Sequence, residues 1–183
     1  MNPTVIEGET DLLAMAQQLQ ATQEEISRLN AQILRRTGYA AKSIAVQKIT
    51  DKVALPKDYV ADKLWVEVSD EQAEVSTASR GTLMSRYEHT PVPGRGFNVK
   101  LHTGKGAVHF RHVFKIPLRG GNGFGLAERV GKKRYPIQVL HAASPSQMMA
   151  SEMSAIETEV SAVLEKEIAT ALDALGATED TSA

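Results

Sequence analysis

Apolar residues recur at helical spacing over the first third of the chain, and this pattern constrains the fold more than any other feature. Residues that lie seven apart begin the pattern: Leu12, Leu19, Ile26 and Ile33. Gln and Glu occupy most of the opposite side, so the apolar residues form one stripe on an amphipathic helix. The stripe continues from Ala41 to Val53. The spacing therefore predicts helix over about residues 10–54.

A helix of this length is longer than the hydrophobic core of one small domain. About forty residues at a rise of 1.5 Å each extend roughly 60 Å, about twice the width of a small domain. Gly38 is the point at which we expect the helix to weaken or kink. Two arrangements stay open: the chain folds back at Gly38 into a helical hairpin, or part of the helix packs on something outside the subunit.

The middle of the chain alternates apolar and polar residues, as short antiparallel strands do. The predicted strands are residues 64–68, 73–77, 97–101, 108–114, 126–130 and 137–140. Turn residues separate them, with a loop at 90–96 and turns at 69–71, 103–106, 120–125 and 131–134. Pro56 suits the first position of a short helix over residues 56–64.

A second long helix is predicted at the C-terminal end. Ser144 supplies an N-cap hydroxyl and Pro145 suits the first helical position. Apolar residues recur from Met149 to Leu175, and Gly176 stands where glycine often ends a helix. The pattern predicts an α+β fold with a long N-terminal helix, an antiparallel sheet of about four to six strands and a C-terminal helix. We expect one domain over residues 1–183, with 1–22 as a helical extension and 177–183 as a disordered tail.

Composition excludes several classes of protein. The chain has no cysteine, which excludes disulfides, thiolate metal ligands and cysteine nucleophiles and fits assembly in a reducing cytoplasm. No apolar run reaches the roughly 20 residues of a membrane-spanning helix. Residues 1–11 carry acidic and no basic side chains, the reverse of a secretory signal. We expect neither membrane insertion nor export by that route.

Charge is divided into three blocks along the chain. Residues 1–79 contain 8 basic and 12 acidic side chains (net −4), residues 80–134 contain 12 and 2 (net +10), and residues 135–183 contain 1 and 8 (net −7). Two interpretations stay open. The blocks neutralise one another within a monomer, or the basic block of one subunit contacts an acidic surface of another.

Three histidines are the first candidates for a metal site. His109 and His112 lie three residues apart, so on one strand they would face opposite sides, and His102 precedes them. Residues 80–134 contain only two carboxylates, Glu88 and Glu128. Because zinc needs three or four converging ligands, we predict no metal site.

The chain also lacks recognisable catalytic and cofactor motifs. Gly104-Lys105 has neither the earlier glycine nor the following Ser or Thr of a P-loop, and residues 120–125 do not give the dinucleotide-binding pattern. No nucleophile-elbow motif occurs. We predict a protein that is not an enzyme and binds no cofactor. Because clustered Lys and Arg contact phosphates, a nucleic-acid-binding accessory protein that uses residues 80–134 is the alternative function.

Three stretches, taken in order and spacing, resemble a known family. They are QILRRT with LPKDYVADKL within residues 32–64, RGTLMSRY at 80–87, and RVGKKRYPIQVL with ASPSQM within 129–148. Together they resemble the minor tail protein Z family of long-tailed bacteriophages, also called tail-completion proteins. The resemblance covers about residues 23–171.

This resemblance implies a structural protein of the virion, placed at the neck of the tail and assembled in the host cytoplasm. Such a protein completes the tail and joins it to the head-tail connector. Its partners would be further copies in a hexameric ring, the adjoining tail-terminator or tail-tube and connector proteins, and genomic DNA that passes through without sequence recognition. The residues expected at subunit interfaces or facing the channel are basic: Arg119, Arg129, Lys132, Lys133 and Arg134.

Overall fold

The computed structural model describes residues 4–6, 23–121 and 123–179. The helices are α1 (Gln23–Lys52), α2 (Lys57–Ala61), α3 (Pro145–Ser151) and α4 (Met153–Glu179). The strands are β1 (Thr4–Ile6), β2 (Leu64–Val68), β3 (Ala73–Thr77), β4 (Thr82–Leu83), β5 (His89–Val92), β6 (Gly96–Val99), β7 (Val108–Phe110), β8 (Phe114–Pro117), β9 (Phe124–Arg129), β10 (Ile137–Val139) and β11 (His141–Ala142). The predicted α+β class, with a long N-terminal helix, antiparallel strands and a C-terminal helix, is confirmed.

The strands of the described residues are divided among four small sheets. Their orders are β1-β3-β2, β5-β6-β7, β10-β9-β8 and β11-β4, and every pairing is antiparallel. The chain divides into two compact units. The first comprises residues 1–46, 64–77 and 152–183, and the second comprises 47–63 and 78–151. The single-domain organisation stays a prediction.

In the first unit, α1 continues through Gly38 without the expected kink. A Cβ atom on Gly38 would lie 3.0 Å from Cγ1 of Val66 and 3.1 Å from Cβ of Ala73. Glycine is therefore present because the helix approaches the β2-β3 hairpin closely, and its missing side chain leaves room for that contact. Thr4–Ile6, inside the predicted helical extension, is a strand paired with β3. The prediction for residues 10–22 lies outside the described residues.

The apolar stripe of α1 packs against α4 of the same chain. Ile33 and Ala171 are buried, and apolar side chains of both helices pack against them: Leu29, Leu164 and Ile168. At the edge of this contact, Nη1 of Arg36 lies 3.2 Å from Oε2 of Glu167. Burial of aliphatic side chains at helical spacing stabilises such a pair by roughly 1.5–3 kcal/mol for each large residue removed from water.

Thr37 is a polar residue of α1 that is fully buried, and its Oγ1 has no hydrogen-bond partner among the described residues. We expect Thr37→Val to raise the free energy of unfolding by about 1 kcal/mol, because valine keeps the shape and removes the unsatisfied hydroxyl. Urea titration of the purified chain measures this change. Thr158→Val is the control, since the Thr158 hydroxyl is exposed and donates to the Ser154 carbonyl, and no gain is expected there. A loss of stability in Thr37→Val would contradict the expectation.

Three predicted elements of the second unit differ from the structure. Residues 108–114 are not one strand, because His112 takes a φ of 62° and the chain turns between β7 and β8. Part of the predicted loop 90–96 pairs with β6, with Pro91 on an edge strand where its missing N–H breaks no ladder. Pro56 is the N-cap of α2 rather than its first residue, and Leu64 already belongs to β2.

The predicted start of the C-terminal helical region is confirmed, but the region forms two helices and extends beyond the predicted end. The Ser144 hydroxyl accepts the Gln147 N–H at 3.2 Å and the Gln147 side chain accepts the Ser144 N–H at 3.0 Å, which is a capping box. A break at Glu152 separates α3 from α4, and the Ser151 hydroxyl beside it donates to the Met148 carbonyl. Gly176 does not end α4, because one glycine costs a helix only about 1 kcal/mol. The predicted disordered tail is helical up to Glu179, and residues 180–183 lie outside the described residues.

Candidate functional site

The five basic residues singled out from the sequence occupy two places in the second unit. Arg129 ends β9, and Lys132, Lys133 and Arg134 lie on the exposed turn between β9 and β10. We call residues 129–134 the basic hairpin. Arg119 lies in the turn between β8 and β9, at the other end of β9. A strand of 6 residues extends about 17 Å, so the structure groups four of the five and separates Arg119 from them.

Arg129 holds the basic hairpin together. Its guanidinium donates to the Arg134 carbonyl, and its Cζ lies 5.2 Å from the centroid of the Phe114 ring. The Val130 N–H also donates across the turn to the Pro136 carbonyl at 3.0 Å. Arg129 therefore stabilises the turn.

Two exposed apolar side chains flank the cations of the basic hairpin. Val130 is 52% exposed and Tyr135 is 64% exposed. The Arg134 guanidinium carbon lies 5.8 Å from the centroid of the Tyr135 ring. Tyr and Arg are enriched where protein surfaces meet, since they bury large areas and also make directed polar contacts. The turn thus combines three exposed cations with an exposed valine and tyrosine.

A cavity of about 540 Å³ is the second basic feature of this unit, and sequence reasoning missed it. Its walls carry four cationic side chains and a histidine: Lys63, Arg80, Arg86, Arg119 and His141. Among the described residues that line it, none is Asp or Glu. Leu83, Leu118 and Val139 contribute apolar surface. We call this feature the basic cavity.

Short elements distant in sequence bring these side chains together. β4 pairs with β11, which sets Leu83 opposite His141. Tyr59 in α2 contacts two of the cations: Nζ of Lys63 is 5.6 Å and Cζ of Arg86 is 5.8 Å from the centroid of its ring. Contacts of this kind between a cation and an aromatic ring are attractive, so they keep both charges beside Tyr59 in the wall of the cavity.

The sequence contained a partial signal for the basic cavity. Arg80 and Arg86 both belong to the stretch RGTLMSRY, in a block of 55 residues with 2 carboxylates. Lys63 and Arg119 lie 56 residues apart in the chain, and no periodicity connects them. Their proximity follows from the path of the chain and was not available from spacing.

Tyr87 is buried beside this region, and burial raises the pKa of its phenol from 10.0 to about 12, with the nearby Tyr59 phenol adding a smaller effect in the same direction. The unfolded chain therefore releases this proton near pH 10, whereas the folded chain keeps it until about pH 12. Between these values the unfolded state binds fewer protons, so stability is lost as the pH rises.

We expect Tyr87→Phe to lose less stability between about pH 9 and 11.5 than the parent chain, because it removes the phenol responsible for this loss. Urea titrations at both pH values measure the difference. Tyr39→Phe is the control, since Tyr39 is 55% exposed. Equal slopes for the parent chain and Tyr87→Phe would contradict the assignment.

The histidines are arranged differently from the expectation. His109 lies on β7 and pairs across the strands with Asn98, with Nδ1 of the histidine 2.8 Å from Oδ1 of the asparagine. His112 lies in the following turn, so the argument from opposite faces of one strand is wrong. Within the part of the chain that the structure describes, no three His, Asp or Glu side chains are placed to hold a metal ion. Over the same residues, no helix combines the length and apolar character needed to cross a membrane.

No protein-family model, curated protein or solved structure matches this chain. The resemblance to tail-completion proteins therefore depends on the three quoted stretches alone. All three contribute to the wall of the basic cavity: Tyr59 and Lys63 come from the first, Arg80 and Arg86 from the second, and Val139 from the third.

Proposed function

We propose that this chain is a structural, non-catalytic subunit of the neck of a long-tailed phage. It completes the tail and joins it to the head-tail connector, as part of a hexameric ring through which the genome passes. One observation supports the proposal best. The third stretch of the resemblance forms the basic hairpin, in which Lys132, Lys133 and Arg134 extend into solvent between the exposed Val130 and Tyr135.

A ring of identical subunits needs two different surfaces on each copy, because each contact is head to tail. The basic hairpin supplies one such surface. α4 offers a candidate for the second, since Glu157, Glu165 and Asp173 are exposed along it. Opposite charges guide the approach of two surfaces and fix their register, while the apolar groups between them provide most of the affinity.

Electron microscopy and plaque titre of lysates from a phage that lacks this gene test the proposal. We expect separate heads and tails, or joined particles that fail to infect, and we expect the titre to return when the intact gene is supplied in trans. Normal infectious particles from the deleted phage would exclude a role in tail completion.

A nucleic-acid-binding accessory protein is the second candidate function. The concentration of Arg and Lys in the basic hairpin favours it, because phosphate contacts need clustered cations. Fluorescence anisotropy with a labelled DNA duplex at several salt concentrations distinguishes the two functions. Binding that weakens steeply with salt, together with normal particles from the deleted phage, would favour the accessory role.

A further inference from the structure

The basic cavity concentrates positive charge in the second unit. Lys63, Arg80, Arg86 and Arg119 all line it, and none of the described lining residues is acidic. In the described ranges, no ion pair involves Lys63, Arg80 or Arg86. Like charges held close together repel one another, and an anion bound between them removes that repulsion.

We propose that the basic cavity binds a phosphate group carried by a nucleotide or by a single strand of nucleic acid. A guanidinium has five N–H donors in a planar fork that matches two phosphate oxygens at once, and the lysine ammonium adds a compact point charge with three donors. Lys63, Arg80 and Arg86 alone offer more charge and more donors than one carboxylate uses. Phosphate, with several oxygens and up to two charges, matches this set better than an acidic side chain.

The rest of the wall fits the organic part of such a ligand. Leu83, Leu118 and Val139 provide apolar surface, and Tyr59 adds an aromatic ring. A volume of about 540 Å³ falls within the range of small-molecule sites. A duplex would meet only the rim, since its backbone lies on the outside of a wide cylinder. The cavity therefore favours one nucleotide or a single strand. This inference does not depend on the proposed neck function.

Isothermal titration calorimetry of the full chain tests the inference with three probes: adenosine monophosphate, adenosine and a twelve-residue single-stranded oligonucleotide. We expect the nucleotide or the oligonucleotide to bind and adenosine, which lacks the phosphate, not to bind. Binding of the mononucleotide alone would identify a free nucleotide as the source of the phosphate. Tighter binding of the oligonucleotide would identify a nucleic-acid strand.

Two matched variants locate the binding site. Arg80→Gln with Arg86→Gln removes two cations from the basic cavity, and we expect affinity to fall at least about tenfold, as loss of charge-assisted hydrogen bonds does. Arg35→Gln with Lys166→Gln removes the same charge from exposed positions outside the basic cavity and the basic hairpin, and should change affinity less than about twofold.

Several results would overturn the inference. The inference fails if neither phosphate probe binds at millimolar concentration, or if adenosine binds as tightly as adenosine monophosphate. It also fails if the two double variants lower the affinity equally. Binding of a hexaglutamate peptide in preference to both phosphate probes would show that the cavity accepts acidic polypeptide instead. Thermal melts check that each variant is folded. If the Arg80 and Arg86 double variant does not fold, Lys63→Gln is used in its place. The comparison of adenosine with adenosine monophosphate still tests whether the phosphate group is required for binding.

Discussion

Replacement of Gly96 by alanine is expected to lower the free energy of unfolding by about 3 kcal/mol, through close contact and backbone strain together. Gly96 begins β6 with a φ of +100°, which side chains of L-residues rarely adopt. A Cβ atom there would also lie 2.0 Å from the carbonyl oxygen of Phe110. That oxygen belongs to the backbone of β7, so no side-chain rotation relieves the contact. The pairing between β6 and β7 must open or shift.

Gly94, two residues earlier, provides the control for this prediction. Its φ is +67°, but a Cβ atom there would have nothing within 4 Å. Gly94→Ala therefore introduces only the strain of a left-handed backbone, about 1 kcal/mol. Urea titrations of both variants at 25 °C measure the two losses. If the two variants lose the same free energy of unfolding, contact between the added Cβ atom at position 96 and β7 does not add to the loss.

Charge reversal of the basic hairpin is the second change with a large expected effect. We expect Lys132→Glu, Lys133→Glu and Arg134→Glu together to reduce the plaque titre of the phage by several orders of magnitude, because a reversed charge repels the acidic surface that the proposed contact requires. The isolated chain should keep its melting temperature, since these three side chains are exposed. Arg129 is left unchanged because it holds the turn through Phe114 and the Arg134 carbonyl.

The matched control reverses three other exposed charges of the same unit: Arg95, Lys105 and Arg111. Net charge changes by the same amount, so a general effect of charge on solubility or expression would appear in both variants. Plaque titre, electron microscopy of the particles and thermal melts of the purified chains are compared. Equal titres for the two variants, or a large fall in the melting temperature of the hairpin variant, would contradict a specific role in assembly.

Local signals in the sequence predicted several elements correctly. Strands β2 and β3 have the predicted bounds, and Ser144 and Pro145 begin α3 through the predicted cap. These features depend on neighbouring residues only. Alternation places side chains on two faces of a strand, and a cap is formed by residues three positions apart.

Features that depend on distant contacts were predicted less well. Gly38 suggested a kink, but the β2-β3 hairpin, about thirty residues further along, requires a residue without a side chain at that point. Residues 108–114 alternate as one strand, yet β7 and β8 pair with different partners and the chain turns at His112. The alternation of apolar and polar residues does not specify which strand a segment pairs with, and the pairing partners of β7 and β8 determine where the chain turns.

The sequence by itself determined the α+β class, the two long helices, most hairpins and the accumulation of positive charge in residues 80–134. It did so because helical and strand periodicity, turn residues and net charge are properties of neighbouring residues. Only the tertiary structure decided that Lys63, Arg80, Arg86 and Arg119 line one cavity while Lys132, Lys133 and Arg134 extend from a separate turn. The physical reason is that electrostatic interaction depends on distances in space, and the path of the chain sets those distances.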